Sequence, residues 1–223
     1  MNELSVFDRS VKVLFRNTPD AICRLLDMDV SPGDIRTDDV SVNVPELRAD
    51  GLLVLGSPAH PPERGLYLEF QLDYPKRKTV EGWFAKVANL NYQRPYPVSL
   101  SVIYLTRGGR KRFPSSYTIH GAVKNTFTFH VIRLWEYIDR IRHGDLKALA
   151  PLLVLCENHP TVETLWEERE IIRGLDVDER QRSELFALSI MVGRKYFTED
   201  ILQAVFGEEI PMIKELSFIE EWI

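Results

Sequence analysis

Two carboxylates stand where buried strands do not want them. In the stretch RADGLLVLGSPAHPPERGLYLEFQLDYPKRK, Arg48 to Lys78, Asp50 opens one apolar run and Glu69 sits inside the next. Side chains of an extended strand alternate faces, so in YLEFQLD the residues Tyr67, Glu69, Gln71 and Asp73 share one face and Leu68, Phe70 and Leu72 the other. The apolar set marks its own face as core. That predicts Glu69 and Gln71 pointing together into a polar side, with Asp50 brought near Glu69 if the two runs form a hairpin. Two carboxylates aimed at one point repel unless a cation lies between them, and a hard divalent ion, Mg²⁺ or Mn²⁺, is the natural occupant. The plainer alternative is a solvated strand face.

Further groups could serve the same chemistry. Asp8 and Lys12, four apart in an apparent first helix, could add an acid and a phosphate-binding cation, or form an ordinary surface pair. Lys86, one helix after Glu69, is a second candidate cation for phosphate. A basic segment runs from Lys76, Arg77 and Lys78 through Lys86 to Arg110, Lys111 and Arg112. The net charge of −5 conceals it: residues 1–150 carry +4 and residues 151–223 carry −9. Other chemistries find no support. No pair among His60, His120, His130, His143 and His159 has metal-ligand spacing, TRGGRKR lacks the GKS/T ending of a P-loop, and Ser115 and Ser116 lack a nucleophile elbow.

The elements that must position these residues are readable in outline. SVFDRSVKVLFRNTPDAICRLLDM has helical spacing, with Pro19 allowing a break. After the turn SPGD, DVSVNVP alternates like a strand, and RADGLLVLG and GLYLEFQLD follow as two more, joined by SPAHPPERG. TVEGWFAKVANLNYQ is helical, with Trp83, Phe84 and Tyr92 expected on its core side, and YPVSLSVIYLT is a β-branched strand. YTIHGAVKNTFTFHVIRLW should hold one further strand, since Phe127, Phe129 and Val131 alternate. From about Asp139 the pattern turns to amphipathic helices, with Thr198 as an N-cap and Gly207 as a C-cap. Residues 1–138 therefore read as an α/β core and 139–223 as a helical extension packed on it.

Composition limits the classes. With 223 residues, 44% of them hydrophobic, the chain can bury a real core. No run approaches the roughly 18 to 20 apolar residues of a membrane span, and the start MNELSVFDRS lacks the pattern of a signal peptide, so a cytoplasmic protein without membrane partners is expected. Cys23 and Cys156 offer neither a disulfide framework nor zinc spacing and should be buried thiols.

An Asp on one strand and Glu-x-Gln on the next resembles the PD-(D/E)XK nuclease superfamily, whose restriction-endonuclease-like αβββαβ core has the same element order. FDRSVKVLF, RADGLLVL, LYLEFQLD and YPVSLSVIYL together look like the Rpn-type, transposase-like family of recombination-promoting nucleases, over roughly residues 6–155. That resemblance implies a Mg²⁺- or Mn²⁺-dependent DNA endonuclease associated with mobile or recombining DNA. Asp50 and Glu69 would be the metal ligands and Gln71 the third active-site position, where the wider superfamily usually has Lys. DNA is the implied partner, contacted through Lys76, Arg77, Lys78, Arg110, Lys111 and Arg112, and homodimerisation is a further expectation. The alternative is a degenerate nuclease fold that binds DNA or a protein without cutting.

Overall fold

The structure is a computed structural model that describes residues 14–15, 17–38, 51–57, 59–72, 74–108, 113–120 and 124–214. It is a mixed α/β protein whose chain divides into two compact units, one of residues 26–134 and one combining residues 1–25 with 135–223. Helix α1 (Pro19–Leu25) belongs to the second. The first contains β1 (Ile35–Asp38), β2 (Gly51–Leu55), β3 (Arg64–Gln71), helix α2 (Arg77–Gln93), β4 (Val98–Tyr104), β5 (Ser116–Ile119), β6 (Asn125–Thr128) and β7 (His130–Arg133).

Five of these strands form one sheet in the order β1-β2-β3-β4-β7, and β5 and β6 pair by themselves. β1, β2 and β3 run antiparallel to their neighbours, whereas β3, β4 and β7 are parallel. The change of sense follows from the connections. The β2–β3 link can be a short loop, but parallel β3 and β4 need a crossover, which α2 supplies. Val80, Trp83, Val87 and Leu90 form the buried stripe of α2 at helical spacing. The helix ends at Gln93 because Arg94 precedes Pro95, which disfavours helical geometry at Arg94.

The join between α2 and β4 is held by one side chain. Asn91 Oδ1 accepts from the Val98 backbone N–H at 2.9 Å, and Asn91 Nδ2 donates to the Val98 carbonyl at 2.8 Å and to the Val87 carbonyl at 2.9 Å. The amide thus fills the place of a strand partner for the first residue of β4. Close packing at the same end depends on Gly65, where a Cβ would come within 3.0 Å of both the Tyr96 ring and Val98.

Burial departs from the simple alternation expected of β3. From Gly65 to Phe70 every residue is buried, on both faces, and Leu72 lies past the strand end and is only half-buried. A parallel pair carries its crossover helix on one face, so the face shared by Tyr67, Glu69 and Gln71 is roofed rather than open to water. Among the described residues the first strand is Ile35–Asp38, immediately after the SPGD turn, and the strand expected at DVSVNVP, residues 39–45, lies outside the described residues. One other expectation changes. The region 116–133 holds three strands instead of one, because the ladder breaks at Phe129 between β6 and β7.

The second unit comprises α1, α3 (Ile138–His143), a 3-10 turn at Lys147–Leu152 running into α4 (Leu153–Cys156), α5 (Val162–Arg173), α6 (Glu179–Gly193), α7 (Glu199–Phe206) and α8 (Ile210–Lys214). Gly207 caps α7 as expected. Leu149, Leu165, Phe186 and Phe206 are among its fully buried side chains, and Cys23 and Cys156 are buried free thiols. Arg169, itself buried, bonds Glu209 at 2.8 Å and also Glu208, which Arg173 binds too, so α5 is clamped to the turn after α7. Glu168 is fully buried, and its Oε1 accepts from the Val154 N–H at 3.0 Å. Among the described residues no helix is long and apolar enough to cross a membrane.

Candidate functional site

Glu69 lies third from the carboxyl end of β3, beside the parallel β4, where the register sets it against Val102. Its side chain is 5% exposed. Two donors meet on its Oε1: the Tyr67 hydroxyl, from two residues earlier on the same strand face, and Lys86 Nζ at 2.6 Å. Lys86 reaches down from α2, 12% exposed, and also lies 5.8 Å from the centroid of the Tyr67 ring. A buried carboxylate is costly unless a cation and hydrogen bonds compensate it, and this cluster supplies both.

Of the residues singled out in the sequence, the structure therefore joins Glu69 and Lys86. Gln71 is at the end of β3, opposite Tyr104, and its amide donates to the adjacent Phe70 carbonyl at 3.1 Å. Asp50, Asp8, Lys12, Arg110, Lys111 and Arg112 lie outside the described residues. Tyr67 is the addition that sequence reasoning missed. Alternation places it on Glu69's face, but nothing in the sequence shows that this face is roofed, so a phenol within reach of the carboxylate is not legible there.

The donor chemistry suits a hard cation only in part. Glu69 is an oxygen ligand of the right kind, yet among the described residues no group of three or more His, Cys, Asp or Glu could hold an ion. The second carboxylate of the expected pair, Asp50, is not among those residues, and Glu69 Oε1 is engaged by an ammonium.

Lys76, Arg77 and Lys78 are all exposed at the start of α2. No acid occupies the first turn, so three cations stand at the end of the helix dipole that favours anions. Arg77 is partly committed, its Nε bonding Glu81 at 3.0 Å, and Tyr117 donates to the same Glu81 oxygen at 3.0 Å. The Tyr117 hydroxyl and the Arg77 guanidinium hold the Glu81 carboxyl below the usual carboxylate range. Of the three aromatics expected on the core side of α2, Trp83 is buried and Phe84 half-buried, but Tyr92 is 91% exposed. Tyr92 occupies the last turn, past the stripe that ends at Leu90, so helical spacing carries it off the core face.

Charge divides across the sheet. Residues 26–73, which hold β1 to β3, carry 10 Asp+Glu against 3 Lys+Arg; residues 74–134, which hold α2 and β4 to β7, carry 11 Lys+Arg against a single acid, Glu81. Glu69 is near the boundary between the two. Compared with models of protein families, with curated proteins and with solved structures, the chain matches none.

Proposed function

We propose that the protein is a metal-dependent DNA endonuclease of the PD-(D/E)XK type, with Glu69 and Asp50 as metal ligands. The observation that carries this reading is the buried Glu69 near the carboxyl end of a parallel strand, met by a lysine from the crossover helix. Open sheets bind ligands beyond the carboxyl ends of their parallel strands, and a carboxylate is seldom buried there without a task. The β2–β3 ladder supports the pairing of Asp50 with Glu69, since its last partners, Gly51 and Leu68, are their immediate sequence neighbours. The concentration of cations in residues 74–134 supports a phosphodiester substrate.

Each residue then has a task. When bound, Mg²⁺ or Mn²⁺ would polarise the scissile phosphate and lower the pKa of an attacking water. Tyr67 fixes the orientation of the Glu69 carboxylate. Lys86 balances that carboxylate and, being on the helix above it, offers the ammonium that Gln71 cannot provide to a phosphoryl oxygen. Lys76, Arg77 and Lys78 would hold flanking backbone phosphates.

A second reading rests on the Lys86–Glu69 ion pair. A carboxylate already neutralised at 2.6 Å needs no metal, which would suit a degenerate nuclease fold that binds DNA or a protein without cutting. A plasmid-nicking assay separates the two. The first reading expects conversion of supercoiled DNA to nicked or linear forms with Mg²⁺ or Mn²⁺, abolished by chelation and lowered by orders of magnitude in Glu69→Gln, which keeps the size of the side chain but removes its charge. Cleavage at the wild-type rate in Glu69→Gln excludes this active site, and a folded wild type that binds DNA without cutting it favours the second reading.

A further inference from the structure

β5 and β6 form a short antiparallel ribbon that does not join the main sheet. One of its faces is accounted for. Tyr117 and Phe127, directly opposed in the register, both pack on Phe84 of α2 with ring centroids 6.1 and 5.4 Å apart, and Tyr117 bonds Glu81. The other face carries the cross-strand pairs Ser116 with Thr128 and Thr118 with Thr126. It is a patch of four hydroxyls without an apolar or charged side chain, and Thr118 Oγ1 and Thr126 Oγ1 are 3.2 Å apart. Lys124, exposed, precedes β6.

Threonine on a solvent-facing strand needs no explanation beyond β propensity. The charge pattern around it does. Residues 82–134 contain 8 Lys+Arg and no Asp or Glu at all. An even spread of the chain's 33 acids would put about eight there. The single acid just upstream, Glu81, is the one that Tyr117 of the ribbon and Arg77 bind. Part of this segment is core, β4 above all, where no charge is expected; at its exposed positions, solubility would be served as well by acids as by bases, so the absence of acids there fits a polyanionic partner. Hydroxyl donors are a common means of gripping phosphate oxygens without reading sequence.

From this complementarity we infer that the outward face of the β5–β6 ribbon is a second contact for the DNA backbone, with Ser116, Thr118, Thr126 and Thr128 bonding phosphate oxygens and Lys124 supplying charge. The inference rests on the DNA reading given above and adds to it a surface remote from Glu69. Phe84, which holds the ribbon, and Lys86, which bonds Glu69, are two residues apart, about 200° around the helix. The ribbon and the carboxylate therefore occupy opposite flanks of α2. A helix with its side chains is about 10–12 Å across, close to the roughly 12 Å width of the DNA major groove, so one duplex can meet both flanks.

The test uses the full chain and a fluorescently labelled duplex of arbitrary sequence, with chelator present so that nothing is cut. Thr118→Asp with Thr126→Asp, two like charges set directly opposite each other, should weaken binding at least tenfold and lower the melting temperature, with the folded state at the assay temperature checked by circular dichroism. Lys124→Glu should weaken it severalfold and make the dependence on salt shallower. Lys76→Glu with Lys78→Glu serves as the comparison at α2. If that variant loses affinity while the ribbon variants bind like wild type, the ribbon contact is overturned and the DNA reading stands. Absence of wild-type binding at low salt overturns both. Should the double aspartate fail to fold, Lys124→Glu, which lies outside the strands, decides the matter alone.

Discussion

At the scale of single residues, the Tyr67–Glu69–Lys86 cluster is both a stability feature and the candidate for chemistry. Removing the cation leaves a buried carboxylate with its tyrosine but without a compensating charge, so Lys86→Met should destabilise the protein by about 2–3 kcal/mol in urea unfolding. Combining it with Glu69→Gln should recover much of that loss, because the group that needed the cation is gone. The same variant tests the metal. A divalent ion at Glu69 competes with the ammonium for the carboxylate, so the rise in melting temperature caused by Mn²⁺ should be larger in Lys86→Met than in wild type and absent in Asp50→Ala. Equal Mn²⁺ shifts in all three proteins would count against a metal at this carboxylate. Glu69 was legible in the sequence because a charge inside an apolar run is conspicuous. Tyr67 was not, since a tyrosine in a strand is ordinary until its hydroxyl is known to have a buried acceptor.

At the scale of elements, what sequence periodicity conveyed well was local. The 17-residue helix α2 and helix α5 follow their 3.6-residue patterns, whereas α6 is buried without a break from Ser183 to Ser189 and has no amphipathic stripe. β2 and β3 before α2, and β4 after it, are also legible as β-branched or alternating runs, whereas β1 lies ahead of the run that alternates in the sequence. What periodicity could not convey was pairing. Nothing in YTIHGAVKNTFTFHVIRLW says that the ladder breaks at Phe129, so that β6 pairs with β5 and β7 with β4 while Phe127 and Phe129 both pack on α2, against Phe84 and Trp83. Nor does alternation in β3 disclose that a crossover helix covers the face it marks as polar. Glu168 gives no such warning either, since it sits in an acidic helix with Glu163 and Glu170, which are exposed. Burial, with the carboxylates of Glu157 and Glu167 nearby, pushes its carboxyl well above the ordinary range, against the pull of the Val154 N–H. A carboxyl whose pKa is higher folded than unfolded stabilises the fold fully below its unfolded pKa. That contribution is lost as pH rises towards the folded value, by at most about 1.4 kcal/mol per pH unit. Glu168→Gln removes the titration, so wild type should lose stability relative to this variant as pH rises above the carboxylate range, about 4 to 5. Parallel pH profiles of the urea midpoint in the two proteins would show that Glu168 is not held protonated.

At the scale of the whole molecule, charge is segregated along the chain more sharply than the total of −5 suggests. Residues 151–223 carry −9, while 74–134 carry 11 bases against one acid. A net negative protein can still bind a polyanion if its cations are grouped, because counterion release depends on the phosphates neutralised locally and not on total charge. DNA affinity should therefore fall linearly on a log–log plot against salt, with a slope of about −0.9 for each phosphate engaged. Lys76→Gln with Lys78→Gln should make that slope shallower by about 2 if each lysine neutralises one phosphate. Arg77→Gln should change it less, since the Arg77 guanidinium is already bonded to Glu81 at 3.0 Å. Glu199→Gln with Asp200→Asn, exposed acids in the first turn of α7, should leave the slope unaltered even if affinity rises slightly. These three outcomes separate a local phosphate contact from a general effect of net charge, in which only the amount of charge removed would matter and Arg77 would count as much as either lysine. A flat salt dependence in wild type would remove the electrostatic basis of the DNA reading and shift attention to a protein partner.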